Sequence, residues 1–177
     1  MKKLLTLGLL LFFTFCATEG TDTAQKDVVE LLPLNNEISG WTRSGDMQVA
    51  ETEDELYALI NGEGQDFIDN GFVKCAFQDY RGDISGEAVT LESDIFDMGN
   101  STNAENVYDE VGIGGETPWT ENHAGVEARI EYGLLSAYKI DFWDDKFYAR
   151  IVILRKTQAA LDIAQLFALN ISAAIRE

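Results

Sequence analysis

An α+β fold, a twisted and mostly antiparallel sheet with helices packed mainly on one face, is predicted by three observations. Apolar and polar residues alternate through "GEAVTLESDIFDMG" at 86–99, the spacing of a half-buried strand. Three strand-like stretches follow one another in "VEARIEYGLLSAYKIDFWDDKFYARIVIL" at 126–154, broken at Gly133 and around Asp144-Asp145. The chain then changes to helical spacing, and Leu161, Ala164, Phe167, Ala168, Ile171 and Ile175 form one stripe that needs a sheet to cover.

The N-terminus comes first in the chain. "MKKLLTLGLLLFFTFCATEG" carries two lysines and then an apolar run from Leu4 to Phe15, the layout of a secretory leader. The run is shorter than the ~20 apolar residues that span a bilayer. The organisation predicted is a signal peptide over 1–18, a polar tether over 19–28 and a single α+β domain over 29–177. Cys16 stands where the apolar run ends. It is either the lipidated first residue of a mature lipoprotein or a residue discarded with the leader.

Within the domain, "KDVVELLPL" at 26–34 suits a helical turn ended by Pro33. "ISGWTRSGDMQVA" at 38–50 suggests two short extended pieces around Ser44-Gly45. Thr52 and Glu55 form a T-x-x-E capping box, after which Leu56, Leu59 and Ile60 share a helix face. Asn61-Gly62 then reads as a helix stop in left-handed backbone, and Asn70-Gly71 as a second one after Phe67 and Ile68. The glycines bend one helical segment so that both apolar faces reach one core. "FVKCAFQDY" at 72–80 is extended and ends at Arg81-Gly82. "NSTNAENVYDEVG" at 100–112 is a helix capped by Asn100 or Ser101, with Ala104, Val107, Tyr108 and Val111 facing inward. A Gly-rich loop, "GIGGETPWTENHAG", precedes the terminal strands. In the last strand Phe147, Ala149, Ile151 and Ile153 line one face, while Tyr148, Arg150, Val152 and Leu154 line the other. Apolar residues on both sides place this strand centrally. Thr157 caps the final helix.

These landmarks resemble an uncharacterised bacterial family, domain of unknown function 6599, whose members are typically exported and often lipoprotein-like. The resembling segments are "LLP" at 31–33 with Gly40-Trp41, "LYALINGEGQDFIDNGF" at 56–72, Tyr80, and "DIFDMGNSTNAENVYDE" at 94–110. The resemblance implies export to the periplasm or envelope. It implies no activity and no catalytic residue.

Composition narrows the chemistry. The chain is 46% hydrophobic and 11% aromatic, enough for a packed core, and its net charge is −18. Loss of Lys2 and Lys3 with the leader would take that to −20. Such a surface repels phosphate backbones and anionic lipid, so nucleic acid is not an expected partner, and membrane contact is expected only through a lipid on Cys16. With one histidine and, past the leader, one cysteine, the ligand set for zinc is missing. "NGEGQDFID" and "DFWDD" lack the register of a calcium loop. "GIGGE" at 112–116 lacks the lysine and the strand–helix context of a phosphate cradle. No nucleophile elbow is present, and Cys75 sits in the apolar "GFVKCAF" as a buried thiol. No catalytic residue, metal ligand or cofactor is therefore assigned.

The candidate binding residues are Trp119, in the polar loop, and Tyr80 with Arg81, at a strand end. The reading is an exported, non-catalytic binding or accessory module whose partner is an envelope protein or small ligand. A small carboxylate-dependent hydrolase, glycan-directed for example, is the alternative, because paired acids can meet in the fold alone. For the leader, Cys16→Ser is expected to abolish detergent-phase partitioning of the full-length protein; unchanged partitioning would reject the lipid anchor.

Overall fold

The structure is a computed structural model and describes residues 26–60, 62, 64–112 and 114–177. The leader, Cys16, Asn61 and most of the tether lie outside the described residues. In chain order the elements are β1 (Thr42–Ala50), α1 (Glu53–Ile60), α2 (Gly64–Asp69), β2 (Lys74–Ile84), β3 (Glu87–Asp97) and α3 (Ser101–Glu110). They continue with β4 (Thr117–Pro118), β5 (Glu127–Glu131), β6 (Tyr138–Asp144), β7 (Phe147–Ile153) and α4 (Gln158–Arg176).

The strands form one seven-stranded sheet in the order β1-β2-β3-β7-β6-β5-β4, and every pairing is antiparallel. Two meanders, β1-β2-β3 and β4-β5-β6-β7, meet where β3 pairs with β7. α3 and the loop behind it carry the chain from that seam to the far edge. β7 is thus central, as its two apolar faces predict.

Strand alternation divides the core in two. Leu91, Ile95, Ala149, Ile151, Ile140 and Phe142 face α4. The alternate positions Cys75, Phe96, Tyr148 and Trp143 face α1, α2 and α3 through Leu56, Phe67, Ala104 and Val107. The three short helices share one face, and the long α4 covers the other. By length and composition α4 could cross a membrane, yet its Leu161, Ala164, Phe167, Ala168 and Ile171 are buried on the sheet.

The caps form as their residues dictate. Glu55 accepts from the Thr52 N–H at 3.1 Å while Thr52 Oγ1 accepts from the Glu55 N–H at 3.3 Å, a reciprocal capping box. Asn100 caps α3 by accepting from the Asn103 N–H at 3.0 Å, and Thr157 caps α4 by accepting from the Ala160 N–H at 3.3 Å.

Several expectations are corrected. Within residues 38–50 one strand, Thr42–Ala50, forms rather than two pieces, with an irregularity between Ser44 and Gln48 that absorbs Gly45 at φ +74°. β2 does not stop at Gly82 but runs to Ile84, and the turn falls at Ser85-Gly86, both with positive φ, as a two-residue hairpin requires. Gly82 is there because the Trp41 ring lies against its backbone: a Cβ would sit 2.4 Å from that ring. Packing also starts earlier than the tether boundary at 28 implied. Val28 is buried in the core, and Asp27 pairs with Lys74 at 2.9 Å. The helical turn expected before Pro33 is present as a single turn over 28–30, the Glu30 N–H donating to the Asp27 carbonyl at 2.9 Å.

The bend between α1 and α2 does bring Leu56 and Phe67 into one cluster, but Gly62 is not left-handed and has open space around it. The left-handed position is Gly71, at φ +81°, where a Cβ would also lie 2.6 Å from Asn103 Nδ2. We expect Gly71→Val to lower the unfolding free energy by about 2–4 kcal/mol, and Gly62→Val by less than about 1 kcal/mol, in urea titrations. Equal losses would mean the bend is misassigned.

Candidate functional site

The candidate residues separate. Tyr80 is fully buried under α4, its ring 4.8 Å from Phe167, and its hydroxyl donates to the Pro33 carbonyl at 2.9 Å. Arg43 reinforces the same segment by donating to the carbonyls of Leu32, at 2.6 Å, and Pro33, at 2.9 Å. Burial pushes the Tyr80 phenol up to about 12, so it stays a donor. Tyr80 therefore anchors the 31–33 segment and edges no open site. Arg81, its neighbour on β2, alternates to the opposite face and is exposed. Trp119 lies five strands away in sheet order, about 24 Å at ordinary strand spacing, so the two regions do not face each other.

Trp119 follows β4 at the far edge of the sheet. Its N–H donates to the Ala128 carbonyl at 2.8 Å, and its indole Nε1–H donates to the Glu121 carbonyl at 2.9 Å. These two bonds fix the ring, which packs partly on the core and partly against a hollow of about 310 Å³. Pro118, Val126, Ala128, Tyr108 and His123 share that lining. His123 is half-buried, with Nδ1 2.9 Å from the Ala124 carbonyl. Val126 is 49% exposed. The wall is apolar and aromatic, with a histidine and Glu127 at its margin.

A second arrangement was not read from the sequence. On the face that α1–α3 cover only in part, Asp94 of β3 pairs across to Arg150 of β7, Arg150 to Asp141 of β6, and Asp141 to Arg129 of β5. Acid and base alternate along one row over four strands. Arg150 donates to Asp94 Oδ2 through Nε at 3.0 Å and Nη2 at 2.9 Å. Asp141, with no exposed surface, accepts from Arg129 Nε at 3.2 Å, Lys139 Nζ at 3.2 Å and the Tyr148 hydroxyl at 3.0 Å. The Arg129 guanidinium also stacks 4.1 Å from the centre of the Tyr108 ring. A dry aromatic cluster adjoins the row: Phe67 of α2 stacks on Phe96 at 4.1 Å and meets Tyr148 at 5.7 Å. That low-dielectric wall strengthens each ion pair and raises the cost of breaking one.

Beside the row is a hollow of about 270 Å³ between the sheet, α2 and the end of α3. Lys139, Arg150 and Tyr148 reach it from the sheet, and Asp66, Glu110 and Gly112 from the helical side. Burial, and then the Asp141 charge, hold the Tyr148 hydroxyl well above the usual tyrosine range, so it remains a donor to Asp141. Cys75 is buried in the helix-side core, and burial pushes its thiol up to about 12. Among the described residues no group of three or more metal-ligating side chains gathers.

No family model matches this chain, and no curated protein or solved structure matches it.

Burial pushes the Asp94 carboxyl up to about 6, against the lowering pull of Arg150. A raised acid holds its proton more tightly in the folded chain than in the unfolded one. Its stabilisation is therefore full below the unfolded value near 4 and is lost as pH rises through about 6. In urea titrations we expect the stability of the wild type relative to Asp94→Asn to fall by on the order of 2–3 kcal/mol over that window and then level off. A difference independent of pH would mean Asp94 is not perturbed.

Proposed function

We propose that this chain is an exported, non-catalytic binding or accessory module of the bacterial envelope, belonging to the uncharacterised family it resembles, and that the Trp119 hollow seats an apolar side chain of an envelope protein. The observation that carries this reading is the held indole. Trp119 is fixed by two hydrogen bonds to backbone carbonyls and still presents ring surface to an open hollow beside Pro118 and half-exposed Val126. A pre-positioned aromatic loses little side-chain freedom on contact, which is why tryptophan anchors interfaces so often. The leader-like N-terminus and the acidic composition support export and argue for a partner other than nucleic acid.

The hydrolase alternative needs two carboxyls facing one substrate space. Asp94, raised to about 6, is the observation in its favour. Against it, Asp94 and Asp141 are committed to Arg150, Arg129, Lys139 and Tyr148 and neither lines the hollow beside them, while the two carboxylates that do line it, Asp66 and Glu110, stand at exposed positions where nothing buries an acid.

A photoreactive residue at position 120, beside the indole, is expected to cross-link one envelope protein in producing cells, and Val126→Glu to abolish that product without unfolding the domain. Absence of any product would reject docking at Trp119, and a glycan hydrolysis that Asp94→Asn removes would replace the binding-module reading with the hydrolase one.

A further inference from the structure

The margin of the Trp119 hollow is acidic, and its acids are not matched by bases. Tyr108, Pro118, Trp119 and Val126 line the hollow with Glu127 beside them, and no lysine or arginine stands in the wall. Arg129, which stacks 4.1 Å from the centre of the Tyr108 ring, is already used by Asp141 at 3.2 Å. Lys139 likewise meets Asp141 at 3.2 Å and Glu116 at 3.9 Å. Among the described residues, Glu105, Asp109 and Glu127 stand at exposed positions and make no ion pair.

α3 strengthens the field on that side. Glu105 and Asp109 are four residues apart, so the two carboxylates share one stretch of helix surface next to Tyr108 and repel. Asp109 and Glu110 occupy the last turn, which carries no base, at the negative end of the helix dipole. Burial, and with it the charges of Glu127, Asp141 and Asp109, push the Tyr108 phenol up to about 12 against the pull of Arg129. The Glu127 and Asp109 charges therefore act on the hollow's own wall.

An acidic shell solvated on all sides calls for no partner. Here the carboxylates border an apolar seat, and an apolar side chain entering it would displace water from beside them. A neutral partner would take that hydration away without replacing it, and an acidic one would be repelled. A base on either side of the seated residue offsets both costs. Lysine and arginine stems also cover apolar surface, such as half-exposed Val126, while their heads stay at the charged margin.

We propose that the Trp119 hollow recognises a basic segment of its partner protein, with one apolar residue in the hollow and lysine or arginine beside it against Glu127 and Asp109. This rests on the reading of the hollow as an apolar seat and adds the chemistry of what flanks the seated residue.

The test is a calorimetric titration of the full chain in detergent with three capped pentapeptides, KKLKK, QQLQQ and KKQKK. KKLKK is expected to bind with Kd below about 1 mM, and the other two at least about tenfold more weakly. Glu127→Gln, a conservative change at an exposed position, should weaken KKLKK by about threefold or more and leave QQLQQ unchanged. Raising NaCl from about 50 to about 300 mM should weaken KKLKK severalfold. Asp162→Asn, on α4 across the sheet, controls for diffuse attraction to a chain of net charge −18 and should change nothing. Equal binding of QQLQQ and KKLKK, or equal losses in Asp162→Asn and Glu127→Gln, overturns the basic partner and leaves the apolar seat standing. Equal binding of KKQKK and KKLKK overturns the seat and the proposal with it. If none of the three binds, the proposal is overturned, and the cross-link from position 120 decides whether the seat survives it.

Discussion

The pairing of β3 with β7 is the seam on which both layers of the molecule depend. Each meander reaches the other only there, and the two sides of the seam do different work. Towards α4 it presents Leu91, Ile95, Ala149 and Ile151, all without exposed surface, and these make the floor on which the α4 stripe lies. Towards the short helices it presents Phe96 opposite Tyr148 and Asp94 opposite Arg150. The aromatic pair receives Phe67 and so fixes α2, while the ionic pair opens the charge row that runs on into β6 and β5. Loss of the seam would leave two hairpin systems, each with one uncovered apolar face, and neither could hold α4 alone.

That arrangement explains where space for ligands is left. α1, α2 and α3 cover the aromatic end of their face, where apolar side chains reward burial. They stop short of Lys139 and Arg150, because a helix laid over those charges would need a polar partner for each. The hollow beside the row is thus a consequence of which residues the sheet puts on that face. The Trp119 hollow has a different origin. β4 is two residues long, ends in Pro118, and cannot continue the ladder, so the edge beyond it is filled by a side chain held through backbone carbonyls.

Local signals in the sequence were legible because the groups that satisfy one another are close in the chain. Thr52 with Glu55, Asn100 with Asn103, and Thr157 with Ala160 each act within three residues. The alternation at 86–99 and the stripe at 157–175 likewise needed no knowledge of partners. What was not legible depended on residues distant in the chain. Gly82 looked like a strand end, since nothing nearby in sequence says that Trp41 packs on its backbone. Tyr80 looked like a site edge, since its partner, the Pro33 carbonyl, is 47 residues away. The ionic row escaped because it requires the strand order β3-β7-β6-β5 as well as three registers. A partial signal existed: Asp94, Arg150, Asp141 and Arg129 all fall on the strand phase opposite the α4-facing residues.

The same row contributes to the register itself. A slip of one residue at any of these pairings would turn a strand over and expose its α4-facing side chains, so apolar alternation already excludes odd slips. Alternation is blind to a slip of two, which preserves every face. Charge is not blind to it. At the β6–β7 pairing a two-residue slip sets Arg150 opposite Lys139 or Trp143 instead of Asp141, and at β5–β6 it sets Asp141 opposite Glu131 or Glu127 instead of Arg129. At the seam it sets Asp94 opposite Tyr148 or Val152 and leaves a buried carboxylate without its guanidinium. Like charges directly opposed, or a buried charge stripped of its partner, cost more than an apolar mismatch. The hydrophobic pattern thus selects which face of each strand is inside, and the ionic row selects among the registers that pattern leaves equal. Of the charges that pin the sheet, Arg150 also lines the open hollow, so the register sets that part of its wall.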